Sequence, residues 1–81
     1  MVETGDRQYQ VKARWETANR YYVAVLQVDL LGDWIVTTAN GSRKSRLGNV
    51  RTKYVETMEQ GLRLIESIHK TRIRHGYKRV V

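Results

Sequence analysis

Strict alternation of polar and apolar residues from Gln8 to Glu16 is the feature that most constrains the fold of this chain. Successive side chains of an extended strand point to opposite faces, so a period of two places every apolar residue of this stretch on one face. That face consists of Tyr9, Val11, Ala13 and Trp15. Because the other face is polar, the stretch predicts a half-buried strand at or near the edge of a sheet.

Three further strands are predicted, at residues 20–29, 34–39 and 50–55. The first of them is apolar on both faces, which is typical of a central strand, and turns at residues 17–19 and 30–33 bound it. We also expect Tyr22 and Trp34 to pack in the core. In the last strand, the residues expected to pack are Val50, Thr52 and Tyr54. The cations between them, Arg51 and Lys53, are expected to face water.

One α-helix is predicted over about residues 57–75. Thr57 and Gln60 have the spacing of a capping box, in which the threonine caps the first turn. Apolar residues recur after it at helical spacing: Met58, Leu62, Ile65 and Ile68. Gly61 lies on the same face, and it predicts a close approach of the helix to the sheet, since glycine inside a helix costs about 1 kcal/mol relative to alanine. Gly76 is placed to end the helix.

The order of elements predicts the fold class. Four strands precede the helix, and residues 77–81 could return as a short strand or pack as a tail. We expect an α+β fold, a twisted antiparallel sheet of four or five strands with the helix across one face, in a single domain over residues 1–81. The helix also carries two oppositely charged pairs spaced i,i+4, Glu59–Arg63 and Glu66–Lys70, that predict ion pairs.

The segment between the third and fourth strands, residues 40–49, is the candidate functional loop. It contains three cations, Arg43, Lys44 and Arg46, and no acid. Gly41 and Gly48 are expected to let the backbone turn. Long loops in small domains are typically functional or mobile. We interpret the loop and the strand after it as a surface for nucleic-acid phosphates, with a solvated hairpin tip as the alternative.

Charge is unevenly distributed in the sequence, which has a net charge of +7. Residues 1–42 carry four cations and five acids, whereas residues 43–81 carry eleven cations and three acids. Such a field attracts polyanions and is weakened by salt. Charge alone leaves nucleic acid, an anionic membrane surface and an acidic protein as alternatives.

Residues suited to catalysis or metal binding are scarce. The chain has no cysteine and two histidines, His69 and His75, of which His69 is expected to pack near the apolar face of the helix. Asp29 and Asp33 flank a turn and are interpreted as turn residues. No glycine-rich phosphate-binding motif occurs. We therefore expect a protein that is not an enzyme, with no metal, no cofactor and no small-molecule substrate.

The N-terminal residues, the hydropathy and the cysteine content of the sequence indicate where in the cell the protein is located. Residues 1–10 lack the basic and apolar regions of a signal peptide. No apolar run approaches the roughly 18 residues that a membrane helix needs. A chain without cysteine is compatible with a reducing compartment. We expect a cytoplasmic protein with no membrane association.

A series of residues spread over about residues 20–77 resembles the WGR domain. The series is Arg20-Tyr21-Tyr22, Leu26, Gly32, Trp34, Gly41, Gly48-Asn49-Val50-Arg51, Gly61 and Gly76-Tyr77. This family occurs in DNA-dependent poly(ADP-ribose) polymerases and in many bacterial proteins. The resemblance implies an antiparallel sheet with a helix packed across it. It also implies nucleic-acid binding, especially to DNA ends, through the signature tryptophan and arginine and nearby cations.

The signature triplet itself differs in this chain. Asn40-Gly41-Ser42 stands where the family has Trp-Gly-Arg. The aromatic ring and the cation are absent, and Arg43, Lys44 and Arg46 are the residues expected to compensate by position. We predict a nucleic-acid-binding module that prefers DNA to RNA. Its predicted site comprises Asn40, Gly41, Ser42, Arg43, Lys44, Arg46, Arg51 and Lys53. The alternative is a protein-interaction or homodimerisation module on a WGR scaffold that has lost DNA binding.

Overall fold

The computed structural model describes residues 10–45 and 48–81 and shows an antiparallel sheet with one helix across a face. The elements are β1 (Gln10–Glu16), β2 (Arg20–Val28), β3 (Trp34–Ser42), β4 (Gly48–Val55), α1 (Met58–Arg74) and β5 (Lys78–Arg79). The strand order in the sheet is β4-β3-β2-β1-β5. The predicted α+β class is confirmed, with β2 at the centre and β1 next to the short edge strand β5. Tyr9 of the predicted first strand lies outside the described residues.

The core lies between α1 and the helix side of the sheet. Leu26 pairs with Val11 and Val36, and Ala24 pairs with Ala13, so the cross-strand register stacks these side chains on one face. The buried apolar residues are Ala13, Trp15, Ala24, Leu26, Val36, Ile65 and Tyr77. The two alanines leave room for the helix above them. Alternation in the sequence therefore predicted the buried face of β1 correctly.

Gly61 brings α1 against the central strand, as predicted. A Cβ atom at this position would meet Leu26 Cδ1 inside van der Waals distance, with Leu26 Cδ2 at 3.1 Å. Leu26 is itself fully buried. Any larger residue would push the helix away from the sheet, which explains glycine in the middle of a helix.

Both ends of α1 are capped by local sequence. The Thr57 hydroxyl accepts a hydrogen bond from the Gln60 backbone N–H at 3.0 Å, and the Gln60 side chain accepts one from the Glu56 backbone N–H at 2.6 Å. At the other end Gly76 adopts a positive φ of 89°, and the N–H of Tyr77 bonds to the carbonyl of Arg72 at 2.9 Å. This Schellman arrangement turns the chain so that Tyr77 is buried and β5 pairs with β1.

Two details of the predicted helix are wrong. Leu62 is exposed, and Leu64 packs against the core in its place. The helix lies off-centre, with Leu64 towards β4, so its buried stripe is shifted from the predicted one. The pairs Glu59–Arg63 and Glu66–Lys70 also form no salt bridge; the ion pairs within the described residues both involve Glu16. Exposed side chains gain little from such pairing, and the helix cations remain available to other charges.

Trp15 and Arg72 join the second half of α1 to the sheet. The indole Nε1 of buried Trp15 donates a hydrogen bond to His69 Nδ1 at 3.0 Å. His69 is therefore a packed helix residue, as predicted. The guanidinium of Arg72 lies 4.5 Å from the centre of the Tyr22 ring and 5.0 Å from that of Tyr77. These contacts fix the direction in which the helix crosses the strands.

Candidate functional site

The strand β3 extends further than predicted and includes the triplet that stands in place of Trp-Gly-Arg. Asn40 pairs with Asn49, and Gly41 pairs with Gly48, so these residues are part of the β3–β4 ladder. Neither glycine has a positive φ, so the prediction that they turn the backbone is wrong. A Cβ at Gly48 would lie 2.6 Å from the Asn40 carbonyl oxygen and 2.9 Å from the Tyr21 hydroxyl. Close approach, and not turning, is the reason for glycine there.

Only residues 43–45 of the predicted loop are described between the strands, and Arg46 lies outside the described residues. Arg43 is held by the neighbouring β1–β2 turn. Its guanidinium donates to the Thr17 carbonyl at 3.0 Å and lies 3.6 Å from Glu16 Oε1. Lys44 is exposed, and its side chain has no partner among the described residues. Arg43 is therefore held by contacts within the chain, whereas Lys44 is exposed.

Glu16 is the acid of this region, and its surroundings favour its charged form. The Nε of Arg14 donates to Glu16 Oε2 at 2.7 Å. This hydrogen bond, aided by the positive charges of Arg43 and Arg14 and opposed by partial desolvation, holds the pKa of Glu16 below its ordinary value. The carboxylate thereby fixes two arginines at the end of the sheet.

The predicted packing of Val50 and Tyr54 is wrong, whereas the predicted exposure of Arg51 and Lys53 is confirmed. Arg51 pairs with Thr38 and Lys53 with Val36, so both cations lie on the helix side of the sheet. Val50 and Tyr54 lie on the open side and are 69% and 65% exposed. The reason is the β3–β4 register, which pairs Val50 with Ala39 and Tyr54 with Ile35 on the side of the sheet away from α1.

The predicted site residues therefore do not share one surface. Arg43 follows the end of β3, whereas Arg51 pairs with Thr38, five residues away and roughly 16 Å along an extended strand. Asn40 and Ser42 alternate with Gly41, which faces the open side beside Tyr21. Asn40, Ser42, Arg51 and Lys53 lie on the helix side of the sheet, spread along β3 and β4, and Lys44 follows the end of β3.

Charge is segregated along the strand direction. At one end lie the β2–β3 turn and the β4–α1 connection, which residues 28–34 and 54–60 span. These residues include no Lys or Arg and four acids: Asp29, Asp33, Glu56 and Glu59. At the other end Glu16 is the one acid among the described residues, and eight cations surround it. We call this the basic end: Arg14, Arg20, Arg43, Lys44, Arg72, Arg74, Lys78 and Arg79.

Four cations of the basic end have no side-chain partner among the described residues. The partnered ones are Arg14, Arg43, Arg72 and Arg79, which contact carboxylates, carbonyls or aromatic rings. The free and exposed ones are Arg20, Lys44, Arg74 and Lys78. Sequence analysis identified only Lys44 among them. Arg20, Arg74 and Lys78 are distant from Lys44 in sequence. They reach the same end because the strands are antiparallel and α1 runs towards that end.

The described residues include no group of three or more His, Cys, Asp or Glu side chains that could hold a metal ion. Asp29 has a structural role, because its Oδ1 accepts hydrogen bonds from the N–H groups of Leu31 and Asp33, both at 2.9 Å. This confirms the prediction of a turn aspartate. No helix within residues 10–45 and 48–81 is long and apolar enough to cross a membrane.

No family model, no curated protein and no solved structure matches this chain. The resemblance to the WGR domain therefore depends on the sequence pattern alone and stays a prediction.

Proposed function

We propose that this chain is a non-enzymatic nucleic-acid-binding module that contacts phosphates with its basic end. The observation that carries the proposal is a group of four exposed cations whose side chains have no partner within residues 10–45 and 48–81: Arg20, Lys44, Arg74 and Lys78. They lie at the end of the molecule opposite Asp29, Asp33, Glu56 and Glu59. Lys and Arg side chains on phosphates supply most of the affinity of non-specific nucleic-acid binding. The acidic end would orient the molecule as it approaches a polyanion.

The register of β2 and β3 adds support. Arg20 pairs with Ser42 on the helix side of the sheet. If the WGR resemblance holds, Ser42 occupies the position of the signature arginine, and Arg20 supplies a cation from the adjacent strand. Asn40 lies on the same face beside Tyr22 and can donate to a phosphate or sugar, although it cannot stack.

Binding through phosphate contacts indicates which kind of nucleic acid the module would bind. They fix position and orientation but do not read sequence, so the module would bind with little sequence preference. The absence of the stacking tryptophan argues for contacts to the backbone of duplex DNA or its ends over contacts to unpaired bases. We place this activity in the cytoplasm, with DNA preferred to RNA.

Fluorescence anisotropy with labelled blunt, nicked and single-stranded DNA at two salt concentrations tests the proposal. The variant Arg20→Glu/Lys44→Glu reverses two charges of the basic end. The control Lys12→Glu/Lys70→Glu makes the same change in net charge on exposed residues elsewhere. We expect the basic-end variant to lose roughly tenfold or more in affinity and the control to lose much less. Equal losses would show that only net charge matters and would contradict the proposal.

A second candidate function is protein interaction, and the open side of the sheet favours it. Val50 and Tyr54 are largely exposed there, next to half-buried β-branched residues of β2 and β3. Exposed apolar patches mark interaction surfaces. A mass above one chain in sedimentation that is lost in Val50→Ser/Tyr54→Ser would support a dimer through this face.

A further inference from the structure

The turn between β2 and β3 exposes two leucines between two aspartates. Leu30 and Leu31 are 85% and 86% exposed. The turn is nevertheless well ordered by hydrogen bonds, because Asp29 Oδ1 accepts from two backbone N–H groups and the Asp29 N–H donates to the Asp33 carbonyl at 2.8 Å. We call residues 29–33 the leucine turn. It presents a fixed apolar tip with acids on both sides.

A groove between β4 and α1 has an apolar floor with cations at its rim, so its charge is opposite to that of the leucine turn. Its inner part, a cavity of about 220 Å³, is lined by Tyr22, Val36, Thr38, Arg51, Lys53, Leu64 and Ile68. A second space of about 330 Å³ shares Lys53 and Leu64 with it and adds Gln60 and Arg63. The floor is apolar. The cations Arg51, Lys53 and Arg63 stand at its rim, and none of them has a partner among the described residues.

The size and chemistry of the groove restrict its ligand. The inner cavity is smaller than the roughly 300–1,000 Å³ typical of pockets for small molecules, and it suits an aliphatic side chain. Thr38 and the Tyr22 hydroxyl are the neutral polar side-chain groups in its lining, too few to recognise the edges of a nucleobase. An apolar group flanked by acids fits both the floor and the rim.

We propose that this groove binds the leucine turn of a second copy of the chain. Leu30 and Leu31 would occupy the apolar floor, and Asp33 and the free oxygen of Asp29 would face the cations Lys53 and Arg63. Within one chain the turn does not fill its own groove, since both leucines are exposed. A symmetric pairing of two β4 edges is disfavoured, because it would bring Arg51 and Lys53 of the two copies together.

The proposed contact is heterologous, so it can repeat. Each copy offers one turn and one groove on different surfaces, and a contact of this type forms open chains unless a rotation closes a ring. The self-association is therefore concentration-dependent and weakened by salt. This inference does not rest on the proposed function, because the four exposed cations that carry that proposal, Arg20, Lys44, Arg74 and Lys78, do not line the groove.

Sedimentation velocity of wild type and two variants tests the proposal at concentrations up to roughly 1 mM, where a weak contact with a dissociation constant near that value is visible. The turn variant is Leu30→Asn/Leu31→Asn, and the groove variant is Lys53→Glu/Arg63→Glu. We expect wild type to form dimers and longer species and each variant alone to be a monomer. An equimolar mixture of the variants should give a one-to-one dimer and nothing larger, because it contains one intact turn and one intact groove. Circular dichroism confirms that each variant is folded.

The control Lys12→Glu/Lys70→Glu should associate like wild type. A monomeric wild type, or a mixture of the two variants that remains monomeric, would overturn the proposal. Loss of DNA binding in the groove variant, without any change in self-association, would identify the groove as a nucleic-acid surface and also overturn it. Loss of DNA binding in the basic-end variant bears only on the proposed function.

Discussion

Gly61 sets the distance between the helix and the sheet. Its Cα faces Leu26, which is fully buried on the central strand. Alanine has the better helix propensity, by about 1 kcal/mol. The presence of glycine shows that close packing over Leu26 outweighs that propensity here.

We predict that Gly61→Ala lowers the free energy of unfolding by about 1–3 kcal/mol, because overpacking a dense core forces shifts of this cost. Urea denaturation followed by circular dichroism measures the change. Ser67→Ala, at an exposed position of the same helix, is the matched control and should be neutral or slightly stabilising. A gain in stability for Gly61→Ala would show that α1 can move away from β2 freely.

Glu16 predicts a pH dependence of stability. Its pKa is lowered in the folded state, chiefly by the hydrogen bond from Arg14, so the unfolded state binds its proton more readily. The contribution of Glu16 is therefore present above its ordinary pKa of 4.5 and is lost as the pH falls through the lower folded value. Thermal unfolding at pH 7, 5 and 3 should show wild type more stable than Glu16→Gln at pH 7, with a difference that decreases as the pH falls below 4.5. A constant difference would contradict this assignment.

At the level of elements, local sequence patterns predicted which strands and which helix form. Tertiary contacts explain where the structure differs from those predictions. Alternation in β1 and the cap at Thr57 are local, and both were confirmed. The prediction that Val50 and Tyr54 pack was wrong because both resemble core residues, whereas the β3–β4 register places them on the side of the sheet away from α1. The basic end was not predictable, since it gathers residues as far apart as Arg20 and Lys78.

The first turn of α1 is stabilised by its cap. The Thr57 hydroxyl satisfies the Gln60 N–H, which has no partner inside the helix. We expect Thr57→Ala to cost about 1 kcal/mol of stability and Thr57→Ser to cost much less, because serine keeps the hydroxyl. Urea midpoints of the two variants measure this. Equal losses would show that the methyl group and not the hydrogen bond matters.

In the molecule as a whole, the antiparallel topology produces a polarised particle, in which a basic end and an acidic end lie opposite each other. Strand ends and the helix C-terminus meet at the basic end, and the β2–β3 turn and the start of α1 meet at the acidic end. A polarised particle binds a polyanion in one orientation, so a fixed number of cations contacts phosphates. This number is measurable from the dependence of affinity on salt.

We predict four phosphate contacts, made by Arg20, Lys44, Arg74 and Lys78. Each contact contributes about −0.9 to the slope of log affinity for duplex DNA against log salt concentration. The expected slope is therefore about −3.6. Lys44→Ala should reduce the magnitude of this slope by about 0.9, because it removes one contact. Lys12→Ala should leave it unchanged, since Lys12 lies in β1 outside the basic end. Anisotropy titrations at four salt concentrations measure all three slopes. If Lys12→Ala and Lys44→Ala change the slope equally, phosphates contact the protein in many orientations, and the basic end is not a defined site.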